Sequence, residues 1–374
     1  MSQLYPLLMV PIFDERPWGV LDLRPLYTRV IKEPIGESWL TWEDNRVANG
    51  PLAGRTLASL SQEFRRDLVG QLSCYEDRFP LLVKFLFPGD KLSVQVHPDD
   101  QQAQNDGFPC GKTECWYVLQ AEPGAQVALG LKPGVTLDEF RRAIHETRAE
   151  ELLNWLDVFA GDMLYVAAGT VHTIGGGMIL VETQQTSDVT YRLYDYGRPR
   201  QIHIAEGLAA TRLHTNAGKV MRAGNNRSDF DDVSSRAERP GSPTGAAGAC
   251  PERSRGAPGG AGSGVDEPAV PSRHDELEVL VRSPYFQVEK MRLRDALQAA
   301  VSPNSPHIIV AIDGAGIVES RGMEPISFNT GDAVVVPACV PDYTVRPQWE
   351  LEMMRMSLPT GQVPEPHTIL HRAP

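Results

Sequence analysis

Apolar runs with polar residues between them are concentrated between residues 161 and 198, where they indicate β-structure. Apolar and aromatic residues at Met163–Val166, Met178–Val181 and Val189–Tyr194 favour strands. Glycines between these runs supply the turns and bulges that connect hairpins. We expect this segment to form one wall of a β-barrel, with His172 just past a tight turn at the barrel mouth.

A second strand is predicted upstream, because Lys91–His97 alternates strictly between polar and apolar residues. A side-chain period of two places Ser93, Gln95 and His97 on one strand face. Such a face points at a polar interior. The apolar run before it contains Lys84, whose ammonium group either reaches solvent or points into the same interior.

A third strand, Gly111–Leu119, places Lys112, Glu114 and Trp116 on a common face. Two imidazoles, a carboxylate and an amide oxygen are then available for one divalent ion, and this donor set suits zinc or another first-row metal. The candidate ligands are Gln95, His97, Glu114 and His172. Because no cysteine cage closes the set, one coordination position can stay open for a substrate.

Helical periodicity appears in two stretches. Thr56–Leu72 has apolar residues at spacings of three and four, which predicts an amphipathic helix. Thr136–Phe159 is the longest predicted helix, and Thr136 with Glu139 forms a capping box at its start. The charged run Glu146–Arg148 is a point at which this tract would divide into two helices.

Composition changes sharply after the first two hundred residues. Residues 223–272 are rich in Gly, Pro, Ser, Arg and Ala, which predicts a disordered linker between domains at residues 1–222 and 273–374. Strand patterns return in the second domain. Its segment Gly331–Asp342 matches Gly161–His172 with an aspartate in place of the histidine. We therefore expect the second domain to be metal-free and structural.

The net charge of −12 over 374 residues disfavours nucleic acid and anionic membranes as partners. The apolar run near the N-terminus is too short to span a bilayer and follows no basic segment, so we expect no secretion signal or membrane helix. The five cysteines are scattered, which indicates reduced thiols. These features favour a cytoplasmic protein with a small-molecule partner.

Four separated blocks match a known family in order and spacing. They are SVQVHP at Ser93–Pro98, GKTECWYVL at Gly111–Leu119, GTVHTIGGG at Gly169–Gly177 and ETQQTSDVTYRLYDYGR at Glu182–Arg198. Together they resemble the type I mannose-6-phosphate isomerases, in particular their short bacterial branch, within the cupin superfamily. The resemblance implies a mainly β fold of two cupin-type jelly-roll barrels, with helices inserted in the first barrel.

The resemblance also implies a role for particular residues. It implies one zinc ion per chain, held by the four candidate ligands Gln95, His97, Glu114 and His172. The catalytic residues that it implies are Arg192, Lys112 and Glu182. The residues that it implies for binding the sugar and its phosphate are Ser93, Arg198 and Asp188. One departure is Ala167, which stands where the family usually has a proline before the turn.

The activity implied is the interconversion of mannose 6-phosphate and fructose 6-phosphate through an enediol. The proton-abstracting group stays open among Glu182, Lys112, His97 and a metal-bound hydroxide. Two alternatives also stay open: an iron-dependent cupin dioxygenase, since that chemistry uses the same ligand types, and a non-catalytic cupin that binds sugar phosphates. The sequence does not indicate the oligomeric state.

Overall fold

Antiparallel strands dominate the computed structural model, which describes residues 4–220 and 276–370. The strands of these residues form three sheets, here named the central sheet, the flanking sheet and the C-terminal sheet. Both described ranges belong to one compact unit. The predicted linker at residues 223–272 lies outside the described residues. The expectation of a mainly β fold is confirmed.

The central sheet has eight strands, numbered like all elements here in chain order. In spatial order they are β2 (Ile12–Val20), β3 (Ile35–Trp39), β5 (Leu81–Leu86), β12 (Met178–Gln185), β7 (Glu114–Ala121), β10 (Met163–Val166), β14 (Gly218–Val220) and β22 (Thr368–Ile369). Strand β10 has the bounds that the sequence predicts, and β5, β7 and β12 lie where their patterns place them.

The flanking sheet has five strands and covers one face of the central sheet. Its strands, in spatial order, are β13 (Tyr191–Tyr194), β6 (Val94–Val96), β11 (His172–Ile174), β8 (Gln126–Leu131) and β9 (Leu153–Asp157). Apolar side chains of both sheets, among them Trp116 and Leu180 from the central sheet and Val127 and Ile174 from the flanking sheet, form one buried cluster. The space between these two sheets is therefore a closed interior.

The C-terminal sheet has nine strands. Its main path runs through β15 (Glu276–Arg282), β16 (Gln287–Leu293), β21 (Asp342–Ser357), β18 (His307–Glu319), β20 (Ala333–Val336), β1 (Leu7–Val10) and β4 (Arg46–Val47). In addition, β17 (Leu297–Ala300) pairs with β21, and β19 (Ile326–Asn329) pairs with β18. The N-terminal strand β1 thus lies in the sheet that is otherwise mostly built from the end of the chain, with Leu7 opposite Val335.

The central sheet is buried on both of its faces. Along β5, Val83 and Phe85 pack into the cluster shared with the C-terminal sheet, whereas Leu86 packs into the cluster shared with the flanking sheet. Two-sided burial explains why residues 81–86 form an almost continuous apolar run. The exception, Lys84, lies on the same face as Leu86 by strand alternation, so it points between the central and flanking sheets.

Five α-helices lie in the described residues: α1 (Leu57–Phe64), α2 (Arg66–Val69), α3 (Asp100–Asn105), α4 (Leu137–His145) and α5 (Ile204–Ala210). The single helix predicted for Thr56–Leu72 is therefore two short helices. They are separated at Arg65, whose φ of 46° cannot continue a right-handed helix. None of the helices within residues 4–220 and 276–370 has the length and apolar character needed to cross a membrane.

The prediction for Thr136–Phe159 is right at its start and wrong at its end. The capping box of Thr136 and Glu139 opens helix α4, which ends at His145. After a 3₁₀ turn at Ala149–Leu152, the chain forms strand β9 instead of a second helix. Strand β9 completes the flanking sheet by pairing with β8, a contact between distant residues that overrides the local helical pattern.

Candidate metal centre

The predicted metal ligands come from both sheets that enclose the interior. Strand β7 begins with Glu114 and strand β11 begins with His172. On β6, Gln95 is paired directly opposite His172, and His97 follows the end of that strand. Glu114 lies on the same face of β7 as the buried Trp116, which points between the sheets.

The atoms that could bind a metal converge on one point. Nε2 of His172 lies 3.3 Å from Oε1 of Glu114, and Nε2 of His97 lies 3.5 Å from Oε2 of Glu114. The side-chain amide nitrogen of Gln95 lies 3.2 Å from His172 Nε2. Rotating the amide by half a turn would put its oxygen there instead. The structure therefore brings all four predicted ligands together.

Backbone carbonyls orient both imidazoles. Nδ1 of His97 lies 2.9 Å from the carbonyl oxygen of Val189, and Nδ1 of His172 lies 2.8 Å from that of Thr170. An Nδ1–H that donates to a carbonyl leaves the Nε2 lone pair facing the cluster, as in metal-binding histidines. Burial lowers the pKa of His172 to about 4 and that of His97 well below its usual value. Both rings are thus neutral, as ligands must be.

The carboxylate of Glu114 supplies the observation that tests the fit of a metal. Both of its oxygens are buried, and among the described residues their nearest cation is Lys112, which forms an ion pair with Oε2 alone. Oε1 then has no cation of its own, and leaving a buried carboxylate oxygen in that state is costly. Two neutral Nε2 atoms and two carboxylate oxygens at 3.3 and 3.5 Å have the spacing of atoms that share one zinc, which is about 3.3 Å. The residues fit a divalent metal.

Lys112 lies beside this cluster as a buried cation. Its Nζ is 3.0 Å from Oε2 of Glu114 and 3.2 Å from Nε2 of His97. Burial alone would lower the pKa of Lys112, but the surrounding carboxylates, Glu114 first among them, raise it above its usual value. The ammonium group therefore stays charged.

A cavity of about 280 Å³ opens from the cluster. Its lining includes Gln95, Glu114, Lys112, Ser93, Glu182, Asp188 and Arg192 from the predicted site, together with Arg16, Glu37, Lys84, Trp116 and Arg200. His97 and His172 lie behind the lining with almost no exposed surface. Most residues of the predicted site are therefore gathered around one cavity.

Glu182 has an environment unlike that of an ordinary carboxylate. It is buried, and its Oε1 accepts a hydrogen bond of 3.0 Å from Nε1 of Trp116. Burial, and next the negative charge of Glu114, raise the pKa of Glu182 to about 7. A carboxyl group with this pKa can both take and return a proton near neutral pH.

Arg192 differs from the other two arginines of the cavity, Arg16 and Arg200, which pair with carboxylates. Its Nη1 donates to the carbonyl oxygen of Gln201 at 3.0 Å, while its Nε is buried without a hydrogen-bond partner. The hydroxyl of Ser93, in contrast, is already used, since it donates to Oε1 of Gln95 at 3.1 Å. Asp188 lies exposed at the edge of the pocket.

Arg198 is the predicted site residue that lies outside both the cavity lining and the metal cluster. Its guanidinium group donates to the carbonyl oxygen of Lys91 at 2.8 Å and pairs with Asp90 at 2.6 Å. Arg200 lines the cavity instead, and Asp195 binds both arginines. They follow a tight turn, and the sequence offers no signal for which of them points inward.

Sequence reasoning missed Arg16 and Glu37, which come from β2 and β3, and left the direction of Lys84 open. The structure points Lys84 inward, where it has 3% of its surface exposed. A signal for Glu37 was present, because an acidic residue inside the strand-like segment Ile35–Trp39 calls for a buried partner. No pattern singled out Arg16.

Comparisons with known proteins agree with this geometry. The model of the catalytic domain of type I phosphomannose isomerase matches residues 25–135. The mannose-6-phosphate isomerase of Streptococcus mutans is 31% identical over 345 residues, covering 89% of this chain and 92% of that protein. The mannose-6-phosphate isomerase ManA of Bacillus subtilis is 40% identical over 214 residues, covering 54% and 67% respectively.

Solved structures show the same architecture. The crystal structure of the mannose 6-phosphate isomerase from Bacillus subtilis has a TM-score of 0.73 and 28% identity, and it covers 95% of this chain and 99% of that one. A zinc-bound mannose 6-phosphate isomerase has a TM-score of 0.65 at 12% identity, over 94% and 99% of the two chains, which is a likeness of fold. By its match over nearly the full length of an isomerase, the chain belongs to the mannose-6-phosphate isomerase family.

Proposed function

We propose that this protein interconverts mannose 6-phosphate and fructose 6-phosphate in the cavity between the central and flanking sheets. The observation that carries the proposal is the convergence of His97, Glu114 and His172 on one point at the base of that cavity. The names of the relatives support the substrate pair. An aldose–ketose isomerase needs a proton-transfer group, a source of positive charge and a grip on the phosphate, and the cavity offers candidates for each.

The metal would be held by Glu114, His97 and His172, with Gln95 as the fourth ligand. Zinc is the ion we propose, since it accepts this mixture of nitrogen and oxygen donors and is the ion in a structural neighbour. A bound divalent ion would act as a Lewis acid toward the sugar oxygens. Two oriented, neutral imidazoles and a buried carboxylate within 3.5 Å of both support this assignment.

Glu182 is the group best suited to move the proton. At pH values above about 7 its carboxylate can take the proton from one carbon of the open-chain sugar and return it to the neighbouring carbon. Lys112 and Arg192 would stabilise the negative charge that develops on the sugar oxygens, because buried cations act strongly in a site of low polarity. These three residues are the proposed catalytic set.

The phosphate would be bound at the arginine side of the cavity. Arg200 lines that side and is the arginine we propose for the phosphate, whereas Arg192 serves the reacting end of the sugar. Ser93 and Asp188 also line the cavity and remain proposed substrate contacts. Arg198 is engaged elsewhere, so we propose that it acts indirectly, by sharing the carboxylate of Asp195 with Arg200.

At the level of the fold, we propose that the central and flanking sheets form the first cupin barrel and that the C-terminal sheet forms a second barrel. The packing of the central sheet against the flanking sheet around one apolar cluster supports the first of these. The proposed boundaries stay at residues 1–222 and 273–374, with β1 crossing into the C-terminal sheet.

A coupled assay for fructose 6-phosphate formed from mannose 6-phosphate tests the function. We expect turnover that is lost after treatment with a chelator and restored by added zinc. Running the assay with and without oxygen addresses the dioxygenase alternative, because isomerisation has no need of oxygen. Absence of fructose 6-phosphate from zinc-loaded, folded protein would contradict the proposal.

A further inference from the structure

A row of four side chains crosses the central sheet at the floor of the cavity. The strand register places Trp39 opposite Lys84, Lys84 opposite Glu182, and Glu182 opposite Trp116. Directly opposite residues on neighbouring strands are in contact on the same face of a sheet. Lys84 therefore has an aromatic ring on one side, with its Nζ 4.4 Å from the Trp39 ring centre, and a carboxylate on the other.

The closer partner of Lys84 lies outside this row. Its Nζ is 3.2 Å from Oε2 of Glu37 but 3.7 Å from Oε2 of Glu182. The second distance is longer than a hydrogen bond. Glu37 therefore makes the principal ion pair with this buried ammonium group, and Glu182 is left with a weaker one.

Glu37 is held by one ion pair and two hydrogen bonds at once. Besides Lys84, Nε of Arg16 donates to its Oε1 at 3.0 Å and Nε1 of Trp39 donates to its Oε2 at 2.6 Å. Burial alone would raise the pKa of Glu37, but the charges of Lys84 and Arg16 lower it to about 2. The carboxylate is thus an anion with a fixed position, unlike that of Glu182.

We propose that Glu37 is a positioning residue, which anchors Lys84 short of Glu182. The anchor leaves one ammonium N–H of Lys84 free to donate to a sugar oxygen, and it leaves the Glu182 carboxylate free to accept the substrate proton. Without the charge of Glu37, Lys84 moves onto Glu182 and occupies it. This inference rests on the proposed isomerase function.

The variant Glu37→Gln removes the negative charge of the side chain and keeps its shape. We expect kcat to fall by roughly 10- to 100-fold while KM stays within about threefold and the bound zinc is retained. The matched control is Glu289→Gln in the C-terminal sheet, which removes the charge from another buried carboxylate, paired with Arg355 at 2.7 Å. Its kcat should equal that of the unaltered enzyme. An unchanged kcat in Glu37→Gln would overturn the proposal.

A double-mutant cycle separates positioning from a general structural role. If Glu37 acts through Lys84, Glu37→Gln should lower kcat by less than about twofold further once Lys84→Met is present. If Glu37 only supports Arg16 and Trp39, its loss should cost the same in both backgrounds, and the proposal would be wrong. The conservative variant Glu37→Asp keeps the charge and should recover part of the kcat that Glu37→Gln loses, whereas equal loss in both variants would overturn the proposal.

A crystal structure of Glu37→Gln gives a readout that needs no activity. We expect Nζ of Lys84 to lie within hydrogen-bond distance of Glu182, at about 3 Å. An unmoved Lys84 would overturn this inference even in an active isomerase. Lack of isomerase activity in the unaltered, zinc-loaded protein would instead overturn the proposed function, so the two failures are distinguishable.

Discussion

Two segments of the molecule share one backbone design and differ in chemistry. Residues 161–172 and 331–342 each begin with a glycine of positive φ, 92° at Gly161 and 91° at Gly331. Each continues as a fully buried strand of four residues and then turns into a further strand. That further strand begins at His172 in one segment and at Asp342 in the other.

The turns that open the two segments are stabilised alike. The side chain of Asp162 accepts a hydrogen bond from the backbone N–H of Phe159, and that of Asp332 accepts one from Asn329, both at 2.8 Å. A short polar side chain that satisfies a backbone donor three residues earlier fixes the turn in each case. The Gly-Asp pair is therefore a structural signal and carries no information about metal binding.

The two segments differ in the residues that face His172 and Asp342. His172 is buried and lies opposite Gln95, within reach of Glu114. Asp342 is exposed and lies opposite Ala300. The same turn and strand therefore lead to a candidate metal ligand in one place and to the exposed end of a sheet in the other. A metal site needs ligands from several strands, and among the described residues only the first segment has them nearby.

The largest expected effect is that of His172→Ala. Removing one imidazole should abolish zinc retention and lower kcat/KM by at least about 10³-fold, since catalytic zinc sites depend on each ligand. The counterpart Asp342→Ala should change neither. Metal analysis with the coupled assay measures both effects, and a His172→Ala variant that stays fully active after chelation would refute the metal role.

Phe328→Ala should separate stability from chemistry. This side chain is fully buried in the core of the C-terminal sheet, so truncating it should lower the free energy of unfolding by about 3–4 kcal/mol. Urea unfolding measures that loss. Turnover per folded molecule should stay within about twofold, and a larger fall would show that the C-terminal region shapes the cavity.

Arg192→Ala should impair turnover and spare the metal. Loss of a cation that stabilises developing charge should lower kcat by roughly 10²-fold, which corresponds to about 3 kcal/mol. The matched control is Arg346→Ala, which removes an exposed arginine paired with Glu319 at 2.8 Å in the C-terminal region. Near-normal rates in Arg192→Ala would remove this residue from the mechanism.

The buried His307 of the C-terminal sheet should make the free energy of unfolding depend on pH. Burial, and next the charge of Arg355, lower the pKa of His307 to about 3 from its usual 6.5. Between these two pH values the unfolded chain binds the proton more readily, so stability falls as pH drops from 6.5 toward 3.

His307→Asn should remove that part of the acid sensitivity. The difference between unfolding free energies at pH 7 and pH 4.5 should be smaller in the variant by about 2–3 kcal/mol. Urea titrations at the two pH values measure it. Identical acid sensitivity in both proteins would mean that the pKa of His307 is the same in the folded and unfolded chains.

The smallest expected effect is that of Asp342→His. Placing an imidazole at this position should give no second zinc, because its strand partner among the described residues is Ala300, which offers no ligand atom. Metal analysis should still find one zinc per chain. A gain of a second equivalent would contradict the view that partners, and not the turn, define the site.

Local rules account for much of the fold and the site. The alternating pattern places Glu114 and Trp116 on one face of β7 and Cys115 and Tyr117 on the other, as the structure has them. The same rule directs Gln95 inward. The helical pattern failed for residues 153–157, where pairing with β8 decided in favour of a strand.

The sequence by itself determined the side-chain direction along most predicted strands, several turns and the candidate ligands that the structure brings together, because period, glycine and capping signals act over a few residues. Only the tertiary structure decided that Arg200 lines the cavity instead of Arg198, that Lys84 points inward, and that Glu37 pairs with it. Those outcomes depend on which strands become neighbours. Strand neighbours are set by packing between residues far apart in the chain, which no local pattern encodes.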